Sequence, residues 1–230
     1  MQTIAQSPKR LAFPRTLLAL LFASLVNSLG IQPGNAQERI AASADAARPV
    51  AAGEQAPAFT VRTVENDEFH FDPTALERPA IIITFRGGWC PYCNLHLSEL
   101  RHVLPDINEL GIDVLFLSGD RPEVLYESLK PETQTDIADL DYRIFSDASA
   151  NAAVALGIAF RADPDYPQRL RASGRDISDS ALDTLGVLPV PAVFAIGRDG
   201  SVVFSRAIPD FKVRVPAAEI LAVAKSMVAD

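Results

Sequence analysis

The chain has 230 residues, 48% hydrophobic and 22% charged, with a formal charge of −8. That composition suits one well-buried globular core, and an acidic balance with no basic cluster excludes a nucleic-acid binder. Two cysteines are too few for a disulfide-rich scaffold.

The chain opens with a basic, acid-free stretch holding Lys9, Arg10 and Arg15, followed by an apolar run from Leu17 to Val26 and the small residues Gly34-Asn35-Ala36. This order predicts a signal peptide over 1–36, cleaved after Ala36, and hence an exported, periplasmic or otherwise extracytoplasmic protein. The apolar run is shorter than the stretch of about 20 residues that crosses a bilayer, so an uncleaved membrane anchor is the weaker alternative. No cysteine near the cleavage point offers a lipid attachment. Loss of the leader removes three positive charges and no acid, taking the charge from −8 to −11. Residues 37–52 are Ala-rich and aperiodic, which predicts a linker or extended arm before a single domain over 53–230.

"AFTVRTV" and "EFHF" alternate as a short strand pair around Glu65-Asn66-Asp67. "AIIITF", Ala80 to Phe85, is an apolar run bounded by Pro79 and Gly87-Gly88, as a strand buried on both faces would be. Pro91 suits a first helical position, and Cys93, Leu97, Leu100, Leu104 and Ile107 form one stripe at helical spacing, with Pro105 kinking or ending it. "IDVLFLS" predicts a second buried strand, and Asp120-Arg121-Pro122 a helix carrying Val124, Leu125 and Leu129. "YRIFSD" is a third strand, leading to a helix capped by Asp147 and ended by Gly157. Residues 161–186 are polar and aperiodic, and are expected to be an insertion. "PAVFAI" and "SVVFSR" flank Asp199-Gly200, a hairpin signal, and a helix begins at Pro216. The expected fold is α/β, a central mixed sheet flanked by helices with an N-terminal β extension.

Both cysteines lie in "FRGGWCPYCNLHL", Phe85 to Leu97, directly after the only tryptophan. A disulfide between positions three apart closes too small a loop to be a useful staple. Cys90 stands just before the first helical turn, where unpaired N–H groups and the helix dipole favour a thiolate, while Cys93 begins the apolar stripe. These positions predict Cys90 as an exposed attacker and Cys93 as a shielded resolving thiol, joined as a redox-active disulfide after the first has reacted. Trp89 offers a flat apolar surface beside the sulfur, although a lone tryptophan is more often core packing.

Trp89-Cys90-x-x-Cys93 between a strand and a helix resembles the thioredoxin superfamily, and "FRGGWCPYC" more narrowly resembles its peroxiredoxin-like branch, the AhpC/TSA family of alkyl hydroperoxide reductases and thiol-specific antioxidants. "GEQAPAFTV", "VLFLSGD", "FSDASANAAVALGI" and "PAVFAIGRDGSVVF" are similar to further segments of that family. The resemblance implies a thioredoxin-like fold over about Gly53 to Val228, with no cofactor beyond the two sulfurs. The family's Pro-x-x-x-Thr/Ser-x-x-Cys pattern is not met. Counted from Cys93, Cys90 takes the hydroxyl position and Arg86 the proline position, while counting from Cys90 gives Gly87 and Ile83. The place of the family's later arginine is occupied by Pro191 in "LPVPAVF". A proline there resembles the cis-proline of thioredoxins, which predicts a cis Val190-Pro191 bond. Arg86 is a candidate replacement for the missing peroxide-polarising arginine, against a solvated loop arginine.

Three functions follow as expectations. The first is a thiol peroxidase acting on hydrogen peroxide or alkyl hydroperoxides, with Trp89, Arg86 and Pro191 positioning the substrate and a thioredoxin-like reductant closing the cycle. The second is an exported thiol-disulfide oxidoreductase acting on protein disulfides. The third is a metal-binding chaperone domain, in which the two thiolates and His96 would bind copper(I) or zinc. Against that one, His70, His96 and His102 are scattered and no second Cys pair exists. No phosphate loop, dinucleotide fingerprint or nucleophile elbow is present.

Overall fold

The computed structural model describes residues 39–229, so the leader and its cleavage point lie outside the described residues. Strands β1 (Phe59–Arg62) and β2 (Glu68–Phe71) form the N-terminal hairpin, and β3 (Ala80–Phe85) enters the core. Helices α1 (Pro91–Leu100) and α2 (Leu104–Glu109) lead to β4 (Asp113–Ser118), then α3 (Pro131–Ile137) to β5 (Arg143–Ser146) and α4 (Asn151–Ala155). After β6 (Ala159–Arg161), α5 (Tyr166–Ala172), α6 (Ala181–Leu185) and β7 (Val187–Pro189), the chain closes with β8 (Ala192–Ile196), β9 (Val202–Ala207) and α7 (Ala217–Val228).

Seven strands make one mixed sheet in the order β2-β1-β5-β4-β3-β8-β9, with β3, β4 and β5 parallel and β8 antiparallel to β3. Alternation along β3 divides the core in two. Ile81, Ile83 and Phe85 pack with Leu97, Leu100 and Leu104 of α1 and α2 and with Ile220 of α7. Ala80 and Ile82 face the opposite layer, with Leu115, Leu117, Ala152 and Ala153. A central strand whose side chains all enter a core has no polar face to alternate with, which explains the unbroken "AIIITF". The fold is therefore α/β with helices on both faces of the sheet.

The apolar stripe from Cys93 to Ile107 is cut in two. α1 stops at Leu100 and α2 restarts at Leu104, with Pro105 in its first turn, because proline lacks an N–H and its ring clashes with the carbonyl four residues back. The helix expected after Asp120 is only a 3-10 turn at Pro122–Val124. Leu125 and Leu129 are nevertheless buried, and a regular helix begins only at Pro131. The Asp147 carboxylate accepts the N–H groups of Ala152 (2.9 Å) and Ala153 (2.8 Å), so it caps α4 from across a turn.

The expected linker or arm continues, from Arg39, as an arm packed on the domain. Ala41 bridges Phe160, the Arg48 N–H donates to the Gly157 carbonyl at 3.0 Å, and Ala47 is buried. The polar stretch 161–186 leaves from β6 and returns at β7, which pair antiparallel as a separate two-stranded ladder. It carries α5 and α6 and brings Tyr166 to the active-site loop.

Candidate active site

The site lies where β3 ends and α1 begins. Two glycines permit the turn. Gly87 has φ +152°, and a Cβ on it would lie 2.2 Å from the Trp89 Nε1. A Cβ on Gly88 would meet Ser128 Oγ at 2.1 Å and the Ser128 carbonyl carbon at 2.5 Å, so only glycine lets the loop pack this closely. Asp120, just past β4, accepts the Gly88 N–H at 2.7 Å and the Ser128 hydroxyl at 2.9 Å. Burial raises its carboxyl pKa, opposed by these donors. Asn94 donates from Nδ2 to the Gly88 and Cys90 carbonyls at 2.6 and 3.0 Å, and its Oδ1 accepts the Lys130 N–H at 2.7 Å. The loop is thus fastened to β4, to its own helix and to the start of α3.

Cys90 is the N-cap of α1 with Pro91 in the first turn, as expected from the sequence, and both cysteines are free thiols. The expectation that Cys90 is exposed is corrected: each cysteine is only 1% exposed, since both belong to the core cluster with Trp89 and Val215 and the Arg214 guanidinium reaches the two sulfurs. The Cys90 pKa falls to about 6. The largest cause is the hydrogen bond donated by the Cys93 thiol, aided by the Cys93 N–H and the charges of Arg86 and Arg214, and burial opposes them. Cys93 is pushed well above its ordinary value by burial first, then by its bond to Cys90 and the Cys90 charge. The pair therefore has one anion and one proton, with Cys90 as the thiolate.

Arg214, which was not singled out in the sequence, completes the site. Its Nη2 lies 3.3 Å from the Cys93 sulfur and 4.0 Å from the Cys90 sulfur. Although nearer Cys93, it does not make Cys93 the stronger acid, since that sulfur is the more deeply buried and holds the shared proton. Arg214 stands 121 residues from Cys93, a separation no local spacing rule spans. Its only local signal is its place just before Val215-Pro216, where α7 begins.

Arg86 is not a solvated loop arginine. It is 5% exposed, and its guanidinium lies over three rings, Phe211 at 4.6 Å, Tyr166 at 5.0 Å and Trp89 at 5.3 Å. Its Nε has no acceptor among the described residues. Trp89 is 6% exposed and belongs to the core, so it is a wall of the site more than an open docking face. Pro191 lies beside the end of β3, since its neighbour Ala192 pairs with Thr84. The expected cis bond is absent: among the described residues no peptide bond is cis. The Thr84 hydroxyl donates to the Val190 carbonyl at 3.2 Å and accepts the Ala192 N–H at 3.0 Å, tying both sides of Pro191 to β3. Pro191, Arg86, Tyr166 and Phe211 share the wall of a largely apolar cavity of about 310 Å³.

His96 is buried, and its Nε2–H donates to the Val215 carbonyl at 3.0 Å. Burial lowers its pKa to about 4, with the Arg214 charge acting in the same direction. It thus stands neutral, anchoring the segment that carries Arg214, where the metal reading required a ligand beside the sulfurs. Among the described residues no three His, Cys, Asp or Glu side chains converge as a metal site.

A strand, a Cys-x-x-Cys helix start and a four-stranded core of β5, β4, β3 and β8 define a thioredoxin-superfamily protein with a buried dithiol. The model of the AhpC/TSA family matches residues 52–205, and the chain belongs to that family. Curated relatives include the thiol-disulfide oxidoreductase ResA of Bacillus thuringiensis (strain Al Hakam) and that of Bacillus anthracis. Each is 24% identical over 151 residues, 66% of this chain and 66% of the relative, so the chain spans just under two thirds of their length. Among solved structures, peroxiredoxin 6 of Arenicola marina is similar at a TM-score of 0.59 and 21% identity, covering 77% of this chain and 73% of that one. Peroxiredoxin 5 from Alvinella pompejana is similar at 0.56 and 16%, covering 77% and 99%. These likenesses confirm the fold.

Proposed function

We propose that the protein is a thiol peroxidase that reduces hydrogen peroxide or a small alkyl hydroperoxide. The observation that carries this reading is a dithiol whose two cysteines are each 1% exposed, with the Arg214 guanidinium held against it. A small peroxide needs only a narrow approach, whereas a folded protein's disulfide needs an open one. The Cys90 thiolate attacks one peroxide oxygen, the O–O bond breaks, and the Cys90 sulfur becomes a sulfenic acid. The departing oxygen leaves as an alkoxide or hydroxide and takes one proton from bulk solvent to become the alcohol or water. Arg86 and Arg214 present fixed positive charge where that negative charge develops, in a site that excludes water. The Cys93 thiol then attacks the sulfenic sulfur, the S–S bond forms and water departs. A thioredoxin-like dithiol takes the oxidising equivalents and returns both thiols. Arg214 fills the role left open by the absent hydroxyl and later arginine of the family pattern, while Pro191 and Trp89 shape the approach. The basic leader and its apolar run support an extracytoplasmic location, and no helix among the described residues is long and apolar enough to cross a membrane.

The second reading, a disulfide oxidoreductase acting on other proteins, is favoured by the ResA relatives and by Trp89-Cys90-Pro91-Tyr92-Cys93. One comparison separates the two. The reduced protein is mixed with hydrogen peroxide under single-turnover conditions and, separately, with a disulfide-bonded protein such as insulin. The peroxidase reading expects Cys90 to react with peroxide about 100-fold faster than an unstructured thiolate, with Cys93→Ser retaining that step and Cys90→Ser losing it. Peroxide reactivity no greater than a free thiol, with rapid insulin reduction, overturns it in favour of the second.

A further inference from the structure

Arg86 is a buried cation without an anion. It is 5% exposed, yet no hydrogen bond or ion pair reaches its side chain among the described residues, and its Nε stands without an acceptor. A charge withdrawn from water is normally paired, and ring faces satisfy a guanidinium less well than a carboxylate accepting from its fork. Arg86 also lines the cavity of about 310 Å³ together with Tyr166 and Phe211, two of the rings it lies over. Its guanidinium therefore stands at the cavity wall. Much of that wall comes from outside the central sheet: Ala44 of the arm, Phe160 and Leu188 of the β6–β7 ladder, Ala162 of the 161–186 stretch, and Phe211 of the strap formed by residues 209–214. The other two charged residues of the wall, Asp163 and Arg169, pair with each other at 2.9 Å, which leaves Arg86 as the cation with no counter-charge.

We propose that this cavity is a binding site for a small apolar monocarboxylate, whose carboxylate accepts from Arg86 and whose hydrocarbon part lies against Phe160, Leu188 and Phe211. One unpaired cation matches one negative charge, and the Asp163 carboxylate on the same wall disfavours a dianion such as phosphate. The apolar lining selects an anion that carries hydrocarbon, and a volume at the low end of the usual range for ligand pockets, about 300–1,000 Å³, selects a small one. Occupancy has a consequence for the dithiol. The Arg86 charge helps to hold Cys90 as a thiolate, so a carboxylate bound to Arg86 offsets that help. The site thus couples an organic acid to the reactivity of Cys90 through charge, without contact with the sulfur. This coupling is the same whether Cys90 meets a peroxide or a protein disulfide.

The test titrates the reduced chain with octanoate and follows the fluorescence of Trp89, the only tryptophan, whose ring centre lies 5.3 Å from the Arg86 guanidinium. Titrations with 1-octanol, octylammonium and acetate run alongside. Octanoate is expected to give a saturable change about tenfold or more tighter than 1-octanol, the scale set by one charge-assisted hydrogen bond, while octylammonium and acetate give none. Arg86→Met should weaken octanoate binding by about the same factor, and Arg86→Lys should recover only part of it, because an ammonium lacks the bidentate fork. Ala162→Leu narrows the cavity from a position outside the dithiol, and should weaken octanoate binding while urea unfolding and peroxide consumption stay as in wild type. Saturating octanoate should also move the pH midpoint of thiolate absorbance upward from about 6. The proposal is overturned if octanoate does not saturate, if 1-octanol binds as tightly, or if Arg86→Met binds octanoate as wild type does. It is equally overturned by bound octanoate that leaves the thiolate midpoint in place, since the carboxylate would then lie away from Arg86. Octanoate binding with the expected shift, in a protein that fails to reduce peroxide, would support this site and overturn the proposed function alone.

Discussion

The two walls of the dithiol site are built by opposite means. The junction Arg86–Asn94 is fixed by buried hydrogen bonds from Asp120 and Asn94 and by glycines packed too closely to be replaced. The strap 209–214 has no backbone bond to any other segment among the described residues; it meets the site through Arg214 at the sulfurs and through Phe211, which packs on Tyr92 and lies over Arg86. The junction places the Cys90 sulfur at the start of α1 and contributes the Arg86 charge, and the strap brings the Arg214 guanidinium to the same pair of sulfurs. The position of a nucleophile tolerates little error, which suits Cys90 to the wall with the denser hydrogen bonding.

The comparison predicts a ranking of losses. Cys90→Ser, which leaves both walls in place, is expected to lower peroxide consumption by about three orders of magnitude or more, measured as single-turnover peroxide loss. Asp120→Ala should damage the junction by stranding the Gly88 N–H and the Ser128 hydroxyl. A loss of about 2–3 kcal/mol is expected in urea unfolding, with Asp120→Asn recovering part of it by keeping an acceptor. If Asp120→Ala unfolds like wild type, the junction is not the rigid wall described.

Arg214→Met should leave unfolding nearly unchanged and reduce the peroxide rate by about tenfold to 100-fold. It should also move the pH midpoint of thiolate absorbance upward from about 6, because one of the charges lowering Cys90 is gone. The same group links charge to stability with a definite sign. The Cys90 pKa is lowered from 9.0 to about 6 on folding, so its contribution is complete above pH 9 and lost as pH falls towards 6. The stability gap between wild type and Cys90→Ser should therefore shrink between pH 9 and 6. A gap that widens as the pH is lowered would show that Cys90 is not the group that ionises.

The two walls also differ in how far the sequence revealed them. Strand β3, the start of α1 and the place of Cys90 as its N-cap were legible, because Gly, Pro and apolar spacing are local signals and the contacts they report are local. The burial of Cys90 and Arg86 was not. The rings around Arg86 come from positions 89, 166 and 211, and only the folded sheet brings the polar 161–186 stretch beside the junction. Arg214 was missed for the same reason. Pro191 was expected to follow a cis bond, but no peptide bond among the described residues is cis: a motif can resemble a family's position while the backbone solves that position differently. The Thr84 hydroxyl bonds both residues flanking Pro191 and ties them to β3.

The smallest expected effect bears most directly on the strap. Phe211 is a third exposed, and it gives the strap its aromatic contacts with Tyr92 and Arg86. Exposed cation–π and edge-on contacts each contribute about 0.5–1 kcal/mol, and a local segment that opens before the core contributes little to global stability. Phe211→Ala should thus lower the urea midpoint hardly at all while speeding strap exchange in the reduced protein. Hydrogen exchange of the 208–215 peptide in Phe211→Ala as slow as in wild type would show that the contacts of this ring with Tyr92 and Arg86 do not hold the strap down.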